Sequence, residues 1–301
     1  MTNISKNSIT ILKENFVFNK LINIKTLIDD SDETTKFLFE LTDGQRIETV
    51  LMKFNYGYSV CVSTQVGCNM GCKFCASGQL KKIRNLNVDE FVLQIIEVNK
   101  YLKNLNGKSI SNIVIMGIGE PFDNYENLSS ALKIFTNHFG INIGSRHITV
   151  STCGLVPYIK KFGVDFPQVN LAISLHATND KTRNSLMPIN NKYNLKTLFD
   201  ALHEYSDNCN RKITFEYLLL KDVNDSYENA IELTKLLKGL ICYVNIIKYN
   251  SVSENNFVKS NNIGDFAKVL IAHGINTTTR LERGSKIDAA CGQLRAKNEK
   301  K

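Results

Sequence analysis

The sequence lacks the long apolar runs that a membrane protein needs. No hydrophobic stretch approaches the roughly 20 residues of a transmembrane helix. The first residues, Met1 to Lys6, lack the apolar region of a secretory signal peptide. The sequence also shows no internal repeat. We therefore expect a cytoplasmic protein that does not contact membranes, whose eight cysteines are thiols and ligands rather than a disulfide framework.

The cysteines also lack the arrangement of a structural zinc site. Such a site takes four ligands, commonly from two separate pairs, whereas Cys68, Cys72 and Cys75 form a single C-x3-C-x2-C run with no second pair. A cubane iron–sulfur cluster normally takes four thiolates, so three would leave one iron open to a cofactor. Glycines that let the backbone wrap closely around a small group flank the run: Gly67, Gly71 and Gly78. Unrelated core cysteines are the alternative, and the spacing argues against it.

The composition is that of an ordinary globular protein. Of the 301 residues, 43% are hydrophobic and 22% are charged, which suits a full core in one α/β barrel or two small domains. The formal net charge of +8 suits a polyanionic partner. Lys81, Lys82 and Arg84, just after the cysteine run, form the best local basic cluster, although a solvated rim explains them as well.

Residues 1–57 differ in pattern from the rest of the chain. Residues 36–41 alternate between polar and apolar side chains, a turn follows at Thr42-Asp43-Gly44, and residues 46–52 resume the extended pattern. This pattern predicts a β-hairpin. We therefore divide the chain into an N-terminal extension with this hairpin, 1–57, and a core, 58–301.

From residue 58 the chain alternates between short β-branched runs and amphipathic helices, which indicates a parallel sheet. Helices are predicted at 195–205 and 230–237, and another begins at Asn87 with Glu90 in a capping box. Six strands are predicted, at 58–64, 112–116, 147–151, 169–175, 213–219 and 242–248. Because a complete TIM barrel has eight such units, we expect an α/β fold with a partial (β/α)6 barrel and an N-terminal β-hairpin extension.

The functional residues of such a barrel belong at the carboxyl ends of its strands. Glycines and polar residues follow the predicted strands there: Gly117, Gly119, Glu120, Ser151, Ser174, His176 and Asn250. The Gly-x-Gly is not a dinucleotide-binding fingerprint, because the third glycine is missing. Each residue alone has an ordinary explanation, such as a turn, a helix cap or a hydrogen-bonded histidine. Their gathering at one rim predicts a site.

Five motifs extend this pattern. They are Cys61 to Cys68, Gly117 to Pro121, Ser174 to Ala177, Met187 to Asn190 and Ile287 to Leu294. The cysteine run resembles the radical S-adenosylmethionine (SAM) signature. Together with these motifs, the chain from about residue 30 to 295 resembles the RlmN/Cfr family of radical SAM methyltransferases, which act on adenosine in RNA. The last motif is the most specific.

The resemblance implies a 4Fe-4S cluster on Cys68, Cys72 and Cys75, with SAM bound at the open iron. Two SAM molecules are implied per turnover. Gly119 and Glu120 match residues at the methionine end of SAM, where a carboxylate can bind an ammonium group. The other residues implied for SAM are Ser151, Ser174, Leu175, His176 and Asn250.

The resemblance also implies a methyl carrier, because the ring carbon of adenine is electrophilic and cannot attack the methyl group of SAM directly. Cys291 matches this carrier. One SAM methylates it, and a 5′-deoxyadenosyl radical made from a second SAM takes a hydrogen from the S-methyl group. Glu48 matches the acceptor of the ring proton. Cys61 matches the thiol that frees Cys291 by forming a transient disulfide, as catalytic disulfides do in the cytosol.

The implied substrate is an adenosine of 23S rRNA at the peptidyl-transferase centre, methylated at C2, with a tRNA adenosine 3′ of the anticodon as a second substrate. Pro121 favours this C2 branch, whereas residues 169–171 and 244–247 resemble the C8-methylating, antibiotic-resistance branch. An electron donor such as flavodoxin or ferredoxin is implied, and a monomer is expected. Members of the family usually carry a helical accessory domain that grips RNA, and this chain has about thirty residues in its place.

Two alternatives compete with this interpretation. A radical SAM activase that makes a protein radical would use the cluster and the SAM residues but would leave Cys61 and Cys291 without a role. An iron–sulfur electron carrier, or a metal-stapled RNA-binding module, would prefer a fully ligated metal and needs no open iron.

Overall fold

An open sheet of ten strands runs through the computed structural model of the chain, which describes residues 4–17, 19–253 and 255–294. The ends of the two predicted units, 1–3 and 295–301, lie outside these residues. Helix α1 comes first, and four antiparallel strands follow. Their bounds are α1 (Lys6–Asn15), β1 (Ile22–Asp29), β2 (Thr34–Glu40), β3 (Arg46–Phe54) and β4 (Gly57–Cys61).

The predicted hairpin is confirmed as β2 and β3, whose pairing places Leu38 opposite Glu48. The sequence pattern does not predict β1, because this edge strand is exposed over most of its length and shows no alternation of buried and exposed residues. β3 pairs in turn with β4, with Val50 opposite Cys61, so the sheet continues from the extension into the core. The boundary at residue 57 falls at the beginning of β4, and the division into two units stays a prediction.

After β4 the chain alternates between strands and helices. In order these are β5 (Gln65–Val66), β6 (Arg84–Asn85), α2 (Val88–Asn106), β7 (Ile110–Ile115), α3 (Tyr125–Thr136), β8 (Ile148–Thr152), α4 (Val156–Asp165), β9 (Asn170–Ser174), α5 (Asp180–Leu186), α6 (Leu195–Cys209), β10 (Ile213–Leu219), α7 (Tyr227–Leu236), β11 (Cys242–Lys248), α8 (Ile263–Ala272) and β12 (Thr277–Thr279). β5 and β6 form a separate small sheet. The other strands continue the large sheet in parallel, in the order β4-β7-β8-β9-β10-β11-β12.

All six predicted core strands are present, and β12 adds a seventh parallel strand at the open edge. β12 consists of three threonines with no apolar alternation, so the pattern carries no strand signal there. The first predicted strand is shorter than expected and ends at Cys61, although the main-chain N–H of Val62 still donates to the carbonyl of Val114 (3.0 Å). The open sheet confirms a partial barrel of the α/β class.

Six helices cover the outer face of the parallel strands, because each buries apolar residues on one side: α2, α3, α4, α6, α7 and α8. The buried face of α2 includes Phe91, Ile95, Val98 and Leu102. The predicted start of α2 is also confirmed, since the Glu90 carboxylate accepts a hydrogen bond from the main-chain N–H of Asn87 (2.8 Å). Of the helices that the structure describes, none has the combination of length and apolar sequence that a membrane span requires.

The inner face of the sheet lines an interior cavity. Successive residues of a strand point to opposite faces, so Cys61, Glu216 and Asn245 face this cavity while their neighbours pack beneath the helices. The result is a partial barrel with polar groups inside, open at the carboxyl ends of its strands, where the predicted site lies.

Candidate active site

The cysteine loop, residues 67–78, lies between β5 and β6 at the carboxyl end of the parallel strands. Cys68, Cys72 and Cys75 all line one cavity, the cofactor cavity of the following paragraphs. The main-chain N–H of Cys75 donates to the carbonyl of Cys72 (3.2 Å). The loop folds so tightly that a Cβ at Gly78 would lie 2.6 Å from the carbonyl oxygen of Cys72, so only glycine fits there.

Of the three thiols of the loop, Cys68 is buried and Cys72 and Cys75 are half-buried, so each needs a neighbouring cation to become a thiolate. Burial raises the pKa of Cys68 to about 12, and it also raises the pKa of Cys72 and of Cys75. A buried thiol binds as a thiolate when a cation compensates its charge. No three His, Cys, Asp or Glu side chains in the described ranges converge on one metal ion. A cluster does not require this, because its thiolates bind different irons.

Residues from several strand ends meet in the cofactor cavity. Six of the seven residues predicted for SAM line it: Gly119, Glu120, Ser151, Ser174, His176 and Asn250. The seventh, Leu175, does not line the cavity, because its side chain is buried in the main core. The structure therefore brings together the polar residues of the rim, as their positions after the strands predict.

Glu120 is the buried carboxylate of the cofactor cavity. Its Oε1 accepts a hydrogen bond from the main-chain N–H of Phe122 (3.0 Å), and its Oε2 accepts one from that of Cys153 (2.8 Å). Burial raises its pKa. The preceding Gly119 lies so close to Thr64 that a Cβ there would be 2.5 Å from Thr64 Oγ1, and its φ of +106° also favours glycine. The carboxylate is thus fixed in orientation.

His176 and Asn250 offer hydrogen-bonding groups of opposite kinds. The Nδ1 of His176 accepts from the main-chain N–H of Leu218 (3.0 Å), and burial lowers the pKa of His176 to about 3. The ring is therefore neutral, with its proton on Nε2 as a donor. The Oδ1 of Asn250 is buried and has no hydrogen-bond partner among the described residues. A free acceptor and a free donor at one cavity fit the hydroxyl and base groups of a nucleoside such as that of SAM.

Cys61 and Cys291 line a second cavity, here called the thiol cavity, which adjoins the first inside the barrel. Cys61 is buried at the end of β4, whereas Cys291 is exposed and also lines the cofactor cavity. Burial and, after it, the neighbouring Cys291 raise the pKa of Cys61 to about 12, although Arg280 acts in the opposite direction. The two predicted thiols are therefore brought together.

The segment around Cys291 is fixed to the rim by hydrogen bonds. The hydroxyl of Ser77 donates to the carbonyl of Leu294 (2.5 Å), and the Asn250 amide donates to the carbonyl of Cys291 (3.3 Å). These contacts come from the cysteine loop and from the end of β11, respectively. Cys291 is thus exposed but held next to the cofactor cavity.

Glu48, the predicted proton acceptor, lies on β3 and lines neither cavity. It is 5% exposed, and its Oε1 pairs with Lys36 Nζ at 3.0 Å. Lys36 Nζ also donates to the carbonyl oxygen of Asp288 (3.0 Å), which lies just before Cys291 in the chain. Lys36 therefore links Glu48 to the segment that precedes Cys291.

Arg183 was not predicted as a residue of the site. Its side chain is almost fully buried and donates to the main-chain carbonyl of Cys153 (2.8 Å) and to Asn190 Oδ1 (2.8 Å). It also donates to the carbonyl of Leu175 (3.1 Å). Arg183 therefore fastens the ends of β8 and β9 to the loop that contains Asn190. It lies on the short, largely polar helix α5, so no feature of the sequence marks it.

Glu216 is a second residue that the sequence interpretation missed. It stands on β10, is 4% exposed, and lines both the cofactor cavity and the thiol cavity. A carboxylate within a predicted, largely apolar parallel strand is the signal that could have identified it, because buried charges are uncommon without a partner or a function.

The basic cluster after the cysteine run is largely ion-paired. Lys82 Nζ lies 2.6 Å from Asp123, and Arg84 pairs with both Asp43 (2.7 Å) and Glu90 (2.8 Å). These acidic partners offset the positive charge of Lys82 and Arg84. The cluster is therefore a weaker contact for a polyanion than its sequence indicates.

Comparison with known proteins relates the whole chain to one family. The model of the Radical SAM superfamily matches residues 62–234. A Malacoplasma penetrans protein named "probable dual-specificity RNA methyltransferase RlmN" is 54% identical over 298 residues, 99% of this chain and 84% of the relative. A Staphylococcus aureus protein of the same name is 52% identical over 301 residues, 99% of this chain and 82% of the relative. The crystal structure of a radical SAM methyltransferase from Sphaerobacter thermophilus superposes with a TM-score of 0.94 at 43% identity, covering 98% of this chain and 87% of that one.

Proposed function

This chain belongs to the RlmN/Cfr family of radical SAM RNA methyltransferases, and from this premise we propose that it methylates C2 of an adenosine in 23S rRNA and, as a second substrate, in tRNA. The relatives' name, a dual-specificity RNA methyltransferase, supports two kinds of RNA as substrates. It is the name of the C2 branch, so the C8 alternative is not favoured. An activase is not favoured either, because it would leave Cys61 and Cys291 without a role.

The family implies a 4Fe-4S cluster and SAM. We assign the cluster to Cys68, Cys72 and Cys75, which line the cofactor cavity together. When bound, the cluster and SAM supply a carbon-centred radical that can remove a hydrogen atom from a methyl group. The proposal includes two SAM molecules per turnover, one for the methyl group and one for the radical, and reduction by a carrier such as flavodoxin or ferredoxin.

Three side chains of the cofactor cavity are assigned to SAM according to their hydrogen-bonding capacity. The oriented carboxylate of Glu120 binds the ammonium group at the methionine end. The free Oδ1 of Asn250 accepts a hydrogen bond from a ribose hydroxyl. The Nε2–H of neutral His176 donates to the nucleoside, because its Nδ1 is already an acceptor.

The single observation that carries the proposal is the meeting of Cys61 and Cys291 in one cavity beside the cysteine loop. Cys291 is exposed, so it can take a methyl group and present it to RNA. Cys61 is buried behind it, so it can attack the Cys291 sulfur after the methylene group has joined the adenine ring. The disulfide that results frees the methylated base.

Glu48 is assigned as the acceptor of the ring proton. Lys36 orients its carboxylate and at the same time holds the carbonyl of Asp288 in the carrier segment. Since Glu48 lies on β3 beside this segment, the adenine ring attached to Cys291 has to reach the β3 side of the cavity. Proton transfer then requires hydrogen-bonding distance between the ring carbon and the carboxylate.

The function is tested by mass mapping of methyladenosine in RNA from cells with and without this chain. We expect 2-methyladenosine in 23S rRNA and in tRNA to disappear without it and to return with the intact chain but not with Cys291→Ala. Appearance of 8-methyladenosine instead would place the chain in the C8 branch. Unchanged methylation in all three strains would reject the proposal.

A further inference from the structure

The two carboxylate oxygens of Glu216 differ in their hydrogen bonding within the described structure. Asn245 Nδ2 donates to its Oε1 (2.9 Å). Its Oε2 is buried and has no hydrogen-bond partner among the described residues. The amide of Asn245 is fixed in turn by Thr278, whose hydroxyl donates to Asn245 Oδ1 (3.1 Å). A buried carboxylate oxygen without a donor costs free energy, so this arrangement calls for a functional explanation.

Arg280 links this carboxylate to the thiols. Its guanidinium Nη1 lies 3.7 Å from Glu216 Oε2, which is an ion-pair distance but too long for a hydrogen bond. The same side chain lines the thiol cavity with Cys61 and Cys291. Burial lowers the pKa of Arg280, but Cys291, Glu216 and Cys61 together raise it above its ordinary value. Glu216, Arg280 and the two thiols therefore share one interior cavity.

Cys61 needs a proton acceptor because the thiolate, not the thiol, attacks sulfur. Burial raises the pKa of Cys61 to about 12, so little thiolate forms without help. The titratable or charged groups that act on Cys61 are Cys291 and Arg280, and its neighbours on β3 and after β7, Val50 and Met116, are apolar. Glu48 is not the acceptor for this step, because the proposed function already assigns it the proton of the adenine ring.

We propose that Glu216 accepts the proton of the Cys61 thiol, with Arg280 stabilising the thiolate that is formed. The S–H bond of Cys61 breaks, the proton passes through solvent in the thiol cavity to Glu216 Oε2, and the electron pair stays on sulfur. That sulfur forms a bond to the Cys291 sulfur while the bond from Cys291 to the methylene carbon breaks. Its electron pair passes to the carbon, which takes a proton from solvent to complete the methyl group. The sulfurs are oxidised and the carbon is reduced, so the step balances.

This assignment rests on the proposed function for the role of Cys61, but it can be tested without RNA or SAM. The cluster-loaded full chain is mixed anaerobically with one equivalent of dithiodipyridine, which reacts first with exposed Cys291. Attack by the Cys61 thiolate then releases a second pyridinethione and leaves a Cys61–Cys291 disulfide. The rate of this second release is followed against pH, and peptide mass mapping locates the disulfide.

We expect Glu216→Gln to slow the second release by about 100-fold near neutral pH, which is the lower end of the range for general-base catalysis. The pH profile of this release should also move to higher pH. Glu216→Asp should restore part of the rate. The matched control is Thr214→Val, on the same strand and facing the same cavity, which should leave both rate and profile unchanged. Arg280→Gln should move the pH profile to higher pH, because it removes the charge that stabilises the Cys61 thiolate. Arg280→Lys keeps this charge and should have a profile close to that of the parent protein.

An unchanged rate and profile in Glu216→Gln would overturn the proposal and leave the residue as a structural ion pair. Weaker SAM binding by Glu216→Gln, with an unchanged rate of thiol exchange, would also overturn it, because Glu216 would then be a residue of the SAM site. If Glu216→Gln does not retain iron, the Arg280 variants decide, and unchanged exchange in Arg280→Gln would reject the proposal. Failure of the underlying function shows separately, as normal RNA methylation by Cys61→Ala.

Discussion

The main-chain N–H of Ala76 donates a hydrogen bond to the main-chain carbonyl of Gly292, with an N···O distance of 2.7 Å. Ala76 follows Cys75 and Gly292 follows Cys291, so the bond joins the proposed last cluster ligand to the proposed methyl carrier. Because the bond lies between two backbones, no change of side chain removes it directly. It keeps Cys291 next to the cofactor cavity, as the proposed transfer of a hydrogen atom from its methyl group requires.

Alanine at Cys68, Cys72 or Cys75 should abolish iron binding and all cleavage of SAM, because each removes one of three thiolates. The fold should persist, since the loop lies at the rim of the sheet. Iron and sulfide per chain after anaerobic reconstitution measure the first effect, and circular dichroism measures the second. Cys242→Ala is the matched control, because Cys242 is buried in the core away from the site. Normal iron content in one of the three variants would remove that residue from the ligand set.

Cys61→Ala and Cys291→Ala should separate the two thiols. Cys291→Ala should bind the cluster and SAM but methylate nothing, because it lacks the carrier. Cys61→Ala should stall before release, with RNA joined to the protein through a methylene on Cys291. Denaturing gels should show RNA label migrating with protein, and the double variant should lose this label. Methyl transfer to RNA by Cys291→Ala would disprove the carrier assignment.

Gly119→Ala should weaken SAM binding by about tenfold or more. A Cβ would lie 2.5 Å from Thr64 Oγ1, and the φ of +106° disfavours any other residue, so strain of at least ~1.4 kcal/mol is expected. The control is Gly264→Ala, where a Cβ meets no atom within 4 Å. Equilibrium binding of SAM to both reconstituted variants provides the comparison. Equal affinities would show that the loop adjusts without moving the cofactor cavity.

Lys36→Met should destabilise the chain by about 3 kcal/mol, because it removes the cation from a buried carboxylate. Adding Glu48→Gln should recover much of this loss, since the charge is then gone as well. Urea unfolding of the single and double variants measures both effects. If the double variant is no more stable than Lys36→Met, the ion pair is not the cause of the loss.

His176 should make stability depend on pH in a defined window. Its pKa in the folded chain is about 3, below its ordinary value of 6.5, so between these values the unfolded chain binds more protons. The contribution of the neutral imidazole to the free energy of unfolding is complete above pH 6.5. It falls by about 1.4 kcal/mol per pH unit as the pH drops from 6.5 towards 3. His176→Gln should reduce the slope of the unfolding free energy by this amount in that window. Parallel slopes for the two proteins would contradict the buried, neutral imidazole.

Features that depend on neighbours along the chain could be predicted from the amino-acid pattern. The spacing of Cys68, Cys72 and Cys75 identifies the cysteine loop, because the ligands of one cluster can come from a single short loop. The core strands follow from apolar runs between helices, and the start of α2 follows from Asn87 and Glu90, because period and capping are local. The rim position of the polar residues follows from the parallel sheet.

Which distant groups meet could not be predicted in this way, because it depends on how the whole chain folds. Cys61 and Cys291 share a cavity because the segment after β12 returns across the barrel to the cysteine loop, and no local period reports such a return. The edge strands β1 and β12 form by pairing with a neighbour rather than by burying an alternating face. The free oxygen of Glu216 depends on Asn245 and Arg280, which other strands bring to it. Each of these contacts joins residues that are far apart in the chain. The local amino-acid pattern describes only one of the two partners, so it cannot predict the contact.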